Sequence, residues 1–179
     1  MKRFRKILVP TDLSEHSRRA LTYGCWLAAE ERSSLVILHI ANEIAAWELY
    51  SEDLAFLGGS LKPWPLDRVL AETSLDLSRF LEPSLTNLKN AASATKRVLF
   101  GPIAQQILSV AEEENADLIV MSPRRRRGLR HWMFGGITDQ VTRLSPCPVL
   151  SITPSSPSAQ WRGKSVSWRY RWTPRGAGV

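Results

Sequence analysis

Five short apolar runs recur along the chain, with apolar residues at helical spacing between them. The runs are Ile7-Leu8-Val9, 35–40, 97–100, 118–121 and 149–152. The apolar residues within these runs are nearly continuous instead of alternating with polar ones, which is typical of strands buried on both faces. The alternation of such strands with helices predicts an α/β fold. We expect a doubly wound, five-stranded parallel sheet with helices on both faces, of the Rossmann-like kind.

Two stretches depart from this pattern. Residues 42–66 are irregular and contain several of the Gly and Pro residues that favour turns. Residues 154–179 are rich in Ser, Pro and Arg, a composition that is typical of disorder. We therefore expect one α/β domain over residues 1–153, with an irregular insert at about 42–66, followed by a basic, disordered tail over 154–179.

The net charge of +7 at pH 7 is unevenly distributed. The tail contains no acidic residue and carries five basic ones, which are Arg162, Lys164, Arg169, Arg171 and Arg175. Because most of the excess charge lies there, the overall charge does not indicate that the domain binds nucleic acid. The tail itself, in which tryptophans are interspersed with arginines, leaves single-stranded nucleic acid open as a partner.

The sequence disfavours several other classes of protein. Cys25 and Cys147 are too few for a disulfide framework, and no Cys/His cluster has the spacing of a zinc site. No apolar run is long enough for a signal peptide or for the roughly 20 residues of a membrane span. G-x-S-x-G, Walker and HExxH motifs do not occur. We therefore expect a cytoplasmic binding protein rather than an enzyme, with no metal site and no membrane partner.

The candidate site lies where the strand order of the predicted sheet reverses. In a doubly wound sheet, ligands bind beyond the carboxyl ends of the strands, where the strand order reverses. The residues at those ends are Pro10, Thr11, Asp12, Ile40, Met121 and Ser122. Downstream, Gly135 and Gly136 open a predicted helix at Ile137, whose free N–H groups favour an anion.

An arginine run precedes this helix. Arg124 to Arg127 could chelate phosphate oxygens through their guanidinium groups. A solvated charged loop and a contact with nucleic acid or an acidic partner are the alternative interpretations.

Several segments together point to a known family. They are KILVPTDLSEHSRRAL, ILHI, GPIAQQIL, ADLIVMS and GLRHWMFGGITDQVTRLSPCPVLSI. In order over residues 5–152, they resemble the universal stress protein family. The resemblance implies an adenine-nucleotide-binding α/β fold that is commonly a homodimer and acts in stress responses without a settled catalytic role.

The resemblance also implies a phosphate-binding loop of the form Gly, two residues, Gly, nine residues, Gly, then Ser or Thr. The corresponding positions here hold Ser122, Arg125, Gly135 and Gly136, so one glycine of the three remains and the hydroxyl is lost. Arg125 places a bulky side chain where close backbone contact is needed, and Pro123 has no N–H to donate. The backbone cradle for a triphosphate is therefore expected to be damaged.

The remaining family positions are better preserved. Asp12 matches the family aspartate that contacts the nucleotide, although a helix cap is the alternative interpretation of this residue. Ile40 and Met121 fall where the resemblance implies the surroundings of the adenine and ribose. His39, at the end of a buried strand, is interpreted as a satisfied core histidine rather than a ligand.

Together these observations predict a stress-response protein with a binding or signalling role and a degenerate adenine-nucleotide site. We expect ATP or AMP to bind weakly or not at all, with magnesium present only if ATP binds. Two alternatives remain open: an ATP-binding member of the family with slow ATP hydrolysis, or a module that binds anions or nucleic acid through the arginine loop.

The fifth run predicts how two copies meet. Val149 to Ile152 is short and apolar, and the expected strand order places it at a sheet edge. An edge strand leaves N–H and C=O groups unpaired and so invites pairing with another strand. The resemblance implies that this strand pairs with its own copy, and we therefore expect a homodimer through the fifth strand.

Overall fold

The computed structural model describes residues 4–41, 66–84, 93–123 and 136–152. The arginine run, most of the predicted insert and the tail lie outside these ranges. Strands and helices alternate in the order β1 Lys6–Thr11, α1 Glu15–Glu31, β2 Ser34–Ala41, α2 Leu66–Leu81, β3 Ser93–Phe100, α3 Ile103–Glu113, β4 Leu118–Met121, α4 Ile137–Leu144 and β5 Val149–Ser151.

The strands form one parallel sheet in the order β3-β2-β1-β4-β5. Thr11 of β1 pairs with His39 of β2, and on its other side β1 pairs with β4 through Ile7 and Leu118. The predicted doubly wound α/β fold is confirmed. The order reverses between β1 and β4, so the carboxyl ends of these two strands flank the position where such sheets bind ligands.

Two apolar cores cover the faces of the sheet, because neighbouring residues of a strand point to opposite faces. One core lies under α1 and α2 and includes Ile7, Val9, Leu35, Ile37, Leu77 and Leu118. The other lies under α3 and α4 and includes Leu8, Val36, Leu38, Ile107, Ile119 and Val141.

Helix α1 packs unusually close to the central strand. A Cβ atom added at Gly24 would lie 2.5 Å from Cγ2 of Val9, so only glycine fits between helix and strand without a shift of the surroundings. The same helix is tied to α2 by Arg18, whose guanidinium lies 4.0 Å from the centre of the Phe80 ring and donates a 2.8 Å hydrogen bond to the Phe80 carbonyl. The contacts of Arg18 hold the first turn of α1, which begins four residues after the end of β1.

Charged side chains connect α3 to the sheet on the opposite face. Glu114 accepts hydrogen bonds from Lys6 Nζ at 2.8 Å and from Arg97 at 3.2 Å, and the same arginine binds Glu113 at 2.9 Å. The hydrogen bond from Lys6 is the main reason that the pKa of Glu114 lies below its usual range, and it outweighs the opposing effect of burial.

Strand β3 extends further than its apolar run indicates. It begins at Ser93, four residues before the predicted start at Arg97, and Ser93 pairs with Ser34 of β2. The added residues are exposed at the sheet edge, so they are polar or small and leave no hydrophobic signal. Helix α2 ends at Leu81, two residues before Pro83, which has no N–H with which to continue the helical hydrogen bonds.

Candidate functional site

The turn after β1 is held by hydrogen bonds between residues that are close in sequence. The Ser17 hydroxyl donates to the carbonyl of Ser14, so the Thr11 hydroxyl is the donor in its 2.9 Å contact with Ser17 Oγ. Thr11 Oγ1 also accepts the N–H of Leu13 at 3.1 Å. Leu13 has a φ of 59°, a left-handed conformation that is costly for a leucine. The turn is therefore a fixed and strained element rather than a loose connection.

Asp12 lies at the exposed corner of this turn. Its Oδ1 accepts the backbone N–H of Ser14 at 3.1 Å and also the Ser14 hydroxyl. The N-cap of α1 is Ser14, which accepts the N–H of Ser17, so Asp12 is not the cap itself. The carboxylate instead orders the turn, and it remains exposed beyond the carboxyl end of β1, next to the point where the strand order reverses.

The end of β2 meets this turn from the side. His39 Nδ1 lies 2.8 Å from the carbonyl oxygen of Thr11. The next residue, Ile40, points to the opposite face, and its side chain is 7% exposed within the core under α3. Because so little of this side chain is accessible, a ligand at Ile40 would meet mainly its backbone.

The end of β4 is tied to the end of β5. Ile152 donates its N–H to the carbonyl of Met121 at 2.9 Å, and the Ser122 hydroxyl donates to the carbonyl of Ile152 at 2.9 Å. The Met121 side chain is 5% exposed, so it too belongs mainly to the core. The Ser122 hydroxyl thus already has an acceptor within the protein.

Helix α4 begins at the last part of the candidate site. Gly136 is its N-cap, with φ −84° and ψ 173°, and it offers no side chain to accept a hydrogen bond. Ile137, the first helical residue, is 39% exposed. Asp139 lies in the first turn and accepts a 3.1 Å hydrogen bond from Arg143. This carboxylate reduces the attraction of the helix start for an anion.

The structure thus brings some of the predicted residues to the same edge of the sheet. Pro10 and Thr11 end β1, Ile40 lies near the end of β2, and Met121 ends β4. Arg124, Arg125 and Gly135 lie outside the described residues. The sequence missed the contacts of His39 and Ser122, because a side chain that bonds a distant carbonyl leaves no mark in hydrophobic periodicity. Only the position of the histidine at the end of an apolar run hinted at its role.

Other chemistry finds little support in the described ranges. Cys25 and Cys147 are buried, and burial raises the pKa of the Cys25 thiol to about 12 and raises that of Cys147 as well, so neither thiol is activated. Within residues 4–41, 66–84, 93–123 and 136–152, no three His, Cys, Asp or Glu side chains come together in a way that could hold a metal ion. In the same part of the chain, no helix is both long and apolar enough to cross a bilayer.

Comparisons with known proteins agree with this architecture. The chain is 28% identical over 150 residues to the universal stress protein YxiE of Bacillus subtilis, covering 83% of this chain and 99% of that protein. Its fold is similar to that of the universal stress protein UspA of Lactobacillus plantarum, with a TM-score of 0.63, 22% identity, and coverage of 85% of this chain and 99% of that one. It is also similar to the crystal structure of a universal stress protein in complex with cAMP, with a TM-score of 0.55, 20% identity, and coverage of 86% and 100%.

The family model agrees with these similarities. The model described as "Universal stress protein family" matches residues 3–152, which make up most of the chain and include every described element. The chain therefore belongs to the universal stress protein family.

Proposed function

We propose that the protein is a stress-response binding protein with a degenerate adenine-nucleotide site between the carboxyl ends of β1 and β4. The observation that carries this proposal is the strained turn, with the N–H groups of Leu13 and Ser14 hydrogen-bonded inside it, that holds the exposed Asp12 carboxylate at that position. A carboxylate held there suits the hydroxyl groups of a ribose, because it is a strong hydrogen-bond acceptor. The cAMP complex of a protein with the same fold supports a purine nucleotide as the ligand.

The phosphate side of the site supports only weak binding. The Ser122 hydroxyl is bonded to Ile152, Gly136 supplies no hydroxyl, and Asp139 places negative charge in the first turn of α4. We therefore propose that AMP binds about as well as ATP, since the additional phosphates gain few contacts. Magnesium binds only together with ATP. The protein acts in the cytoplasm by binding and signalling rather than by catalysis.

Two measurements test the proposal. The first identifies any nucleotide that acid releases from the purified protein, and the second is calorimetry with AMP and with Mg-ATP. We expect dissociation constants near the millimolar range for both ligands, equivalent to about −4 kcal/mol. A micromolar constant for ATP, about −8 kcal/mol, would contradict the degenerate site. Absence of AMP binding at several millimolar would contradict the nucleotide site itself.

Two variants localise the binding. Asp12→Asn should weaken AMP binding, whereas Asp139→Asn, which removes the same charge from α4, should not.

Replacement of Arg124 to Arg127 by alanine tests the alternative that these arginines bind an anion. If phosphate binding and its salt dependence are lost, that alternative is supported. If the phosphate titration is unchanged, the arginines belong to a solvated loop.

We also propose a homodimer through β5. This strand lies at the sheet edge, and on either side of it the Pro148 carbonyl and the Ile152 N–H form hydrogen bonds with Ile119 and Met121 of β4. Because alternate residues of a strand face opposite neighbours, the N–H and C=O groups of Val149 and Ser151 point away from β4. An isologous antiparallel pair of β5 strands would satisfy them.

The other sheet edge is less suited to such pairing. Strand β3 is longer than β5 but carries Lys96 and Arg97 near its middle. Charged residues on an edge strand oppose edge-to-edge association, because an isologous pair brings like charges together. Strand β5 carries no charge, which favours it as the contact between copies.

A further inference from the structure

The imidazole of His39 joins the carboxyl ends of β1 and β2. Its Nδ1 lies 2.8 Å from the carbonyl oxygen of Thr11, the residue with which His39 pairs in the sheet. A carbonyl oxygen can only accept, so Nδ1 carries the hydrogen and the contact selects one tautomer of the ring. His39 is half-buried, whereas its neighbours Leu38 and Ile40 are buried. The histidine is thus satisfied, as the sequence predicts, but it lies at the rim of the candidate site rather than deep in the core.

The carbonyl that His39 holds belongs to the peptide group directly before Asp12. Its orientation is coupled to the turn that follows, in which Leu13 takes the costly left-handed conformation. The hydroxyls of Thr11 and Ser14 secure this turn from the side of α1. The imidazole secures it from the side of β2, so the turn is held from both directions.

We propose that His39 is a positioning residue of the nucleotide site. By holding the Thr11 carbonyl, it fixes the turn that presents Asp12 and sets the distance from that turn to the backbone of Ile40. A ligand that contacts both places then binds to a prearranged site and loses less free energy in ordering it. This inference rests on the proposed nucleotide site, but it concerns a residue that need not touch the ligand.

Two substitutions separate positioning from packing. His39→Leu removes the donor and retains an apolar side chain. His39→Asn retains a donor, because the amide nitrogen of asparagine is the same number of bonds from the backbone as Nδ1 of histidine. Titration with AMP should give a dissociation constant about tenfold higher for His39→Leu, which is about 1.4 kcal/mol, and a value close to that of the wild type for His39→Asn.

Amide hydrogen exchange measures directly how stable the hydrogen bonds of the turn are. The N–H groups of Leu13 and Ser14 are bonded within the turn, so they should exchange faster in His39→Leu and at the native rate in His39→Asn. In an Asp12→Asn background, His39→Leu should weaken AMP binding less than it does in the wild type, because one of the groups that it positions is already altered.

The outcomes distinguish the inference from the proposed function. If the wild type binds no AMP, both are overturned. If the wild type binds AMP and His39→Leu binds it equally well, only the positioning role is overturned, even if that variant melts at a lower temperature. Weaker binding with faster exchange of Leu13 and Ser14, restored by asparagine, supports the inference.

Discussion

Among single residues, Glu114 illustrates how a local contact makes stability depend on pH. Its pKa is lowered in the folded protein, mainly by the hydrogen bond from Lys6. A carboxylate of this kind stabilises the fold above its unfolded pKa of about 4.3, and the contribution is lost as the pH falls through the lower, folded pKa.

Glu114→Gln should therefore be less stable than the wild type near neutral pH, by on the order of 1 kcal/mol, and the difference should shrink below about pH 4. Urea unfolding at several pH values measures this. Glu112→Gln is the matched control, because it removes the same charge at an exposed position of the same segment. A Glu114→Gln deficit that stays constant down to about pH 3 would contradict the assignment.

Gly136 offers the second prediction at this scale. Among the residues that the structure describes, no atom lies within 4 Å of a Cβ added there, and the backbone is extended, so a serine fits and can cap α4. Gly136→Ser should stabilise the protein by a few tenths of a kcal/mol, about the usual gain of serine over glycine at an N-cap. It should also raise the affinity for ATP more than that for AMP, because it returns a hydroxyl to the phosphate side. Gly136→Ala fills the same space without the hydroxyl, and equal ATP affinities for the two variants would rule out this role.

At the scale of elements, the close packing of α1 on β1 decides the effect of an otherwise favourable change. Alanine forms helices better than glycine by about 1 kcal/mol, yet Gly24→Ala places Cβ 2.5 Å from Val9 Cγ2. We expect a net loss of about 1–3 kcal/mol from overpacking, measured by urea unfolding. Val9→Ala removes the opposing methyl groups, so the cost of Gly24→Ala should fall in that background; strictly additive effects would contradict the steric explanation.

The elements also show how far the sequence alone leads. Apolar runs predicted the strands and their buried faces, because the sheet is covered on both sides. The polar half of β3 escaped detection because an exposed edge does not need apolar residues. At the candidate site, Asp12 was recognisable from its place after a strand, whereas the partners of Ser122 and His39 were not. Those contacts join residues far apart in sequence, and they depend on the order in which the strands lie side by side.

At the scale of the whole molecule, the dimer proposal gives a test that leaves the core intact. Ser151 is exposed and its N–H points away from β4, so Ser151→Pro removes a donor from the free edge without breaking the bonds of β5 to β4. Sedimentation should then show a monomer, while Ser151→Ala, which keeps the N–H, should remain a dimer. Leu150→Lys is a less clean test, because Leu150 packs against the core under α1. A wild-type protein that is monomeric at micromolar concentration would refute pairing through β5.

The central position of β1 determines when its two edges can pair while the chain is being synthesised. This strand emerges from the ribosome before the other described strands, but one of its two neighbours is β4. The backbone N–H of Lys6 therefore has to remain without its acceptor, Asp117, until 111 further residues have been added. At roughly 5–20 residues per second, the interval lasts roughly 5–20 seconds, during which β1 and β2 can pair but the other side of β1 stays open. A nascent chain that stalls before Leu118 thus displays the unpaired edge of a strand whose residues Ile7, Leu8 and Val9 are fully buried in the finished fold, and chaperones or other growing chains can attach there. Truncations that end ahead of β4 should accordingly aggregate far more than those that end just after β5.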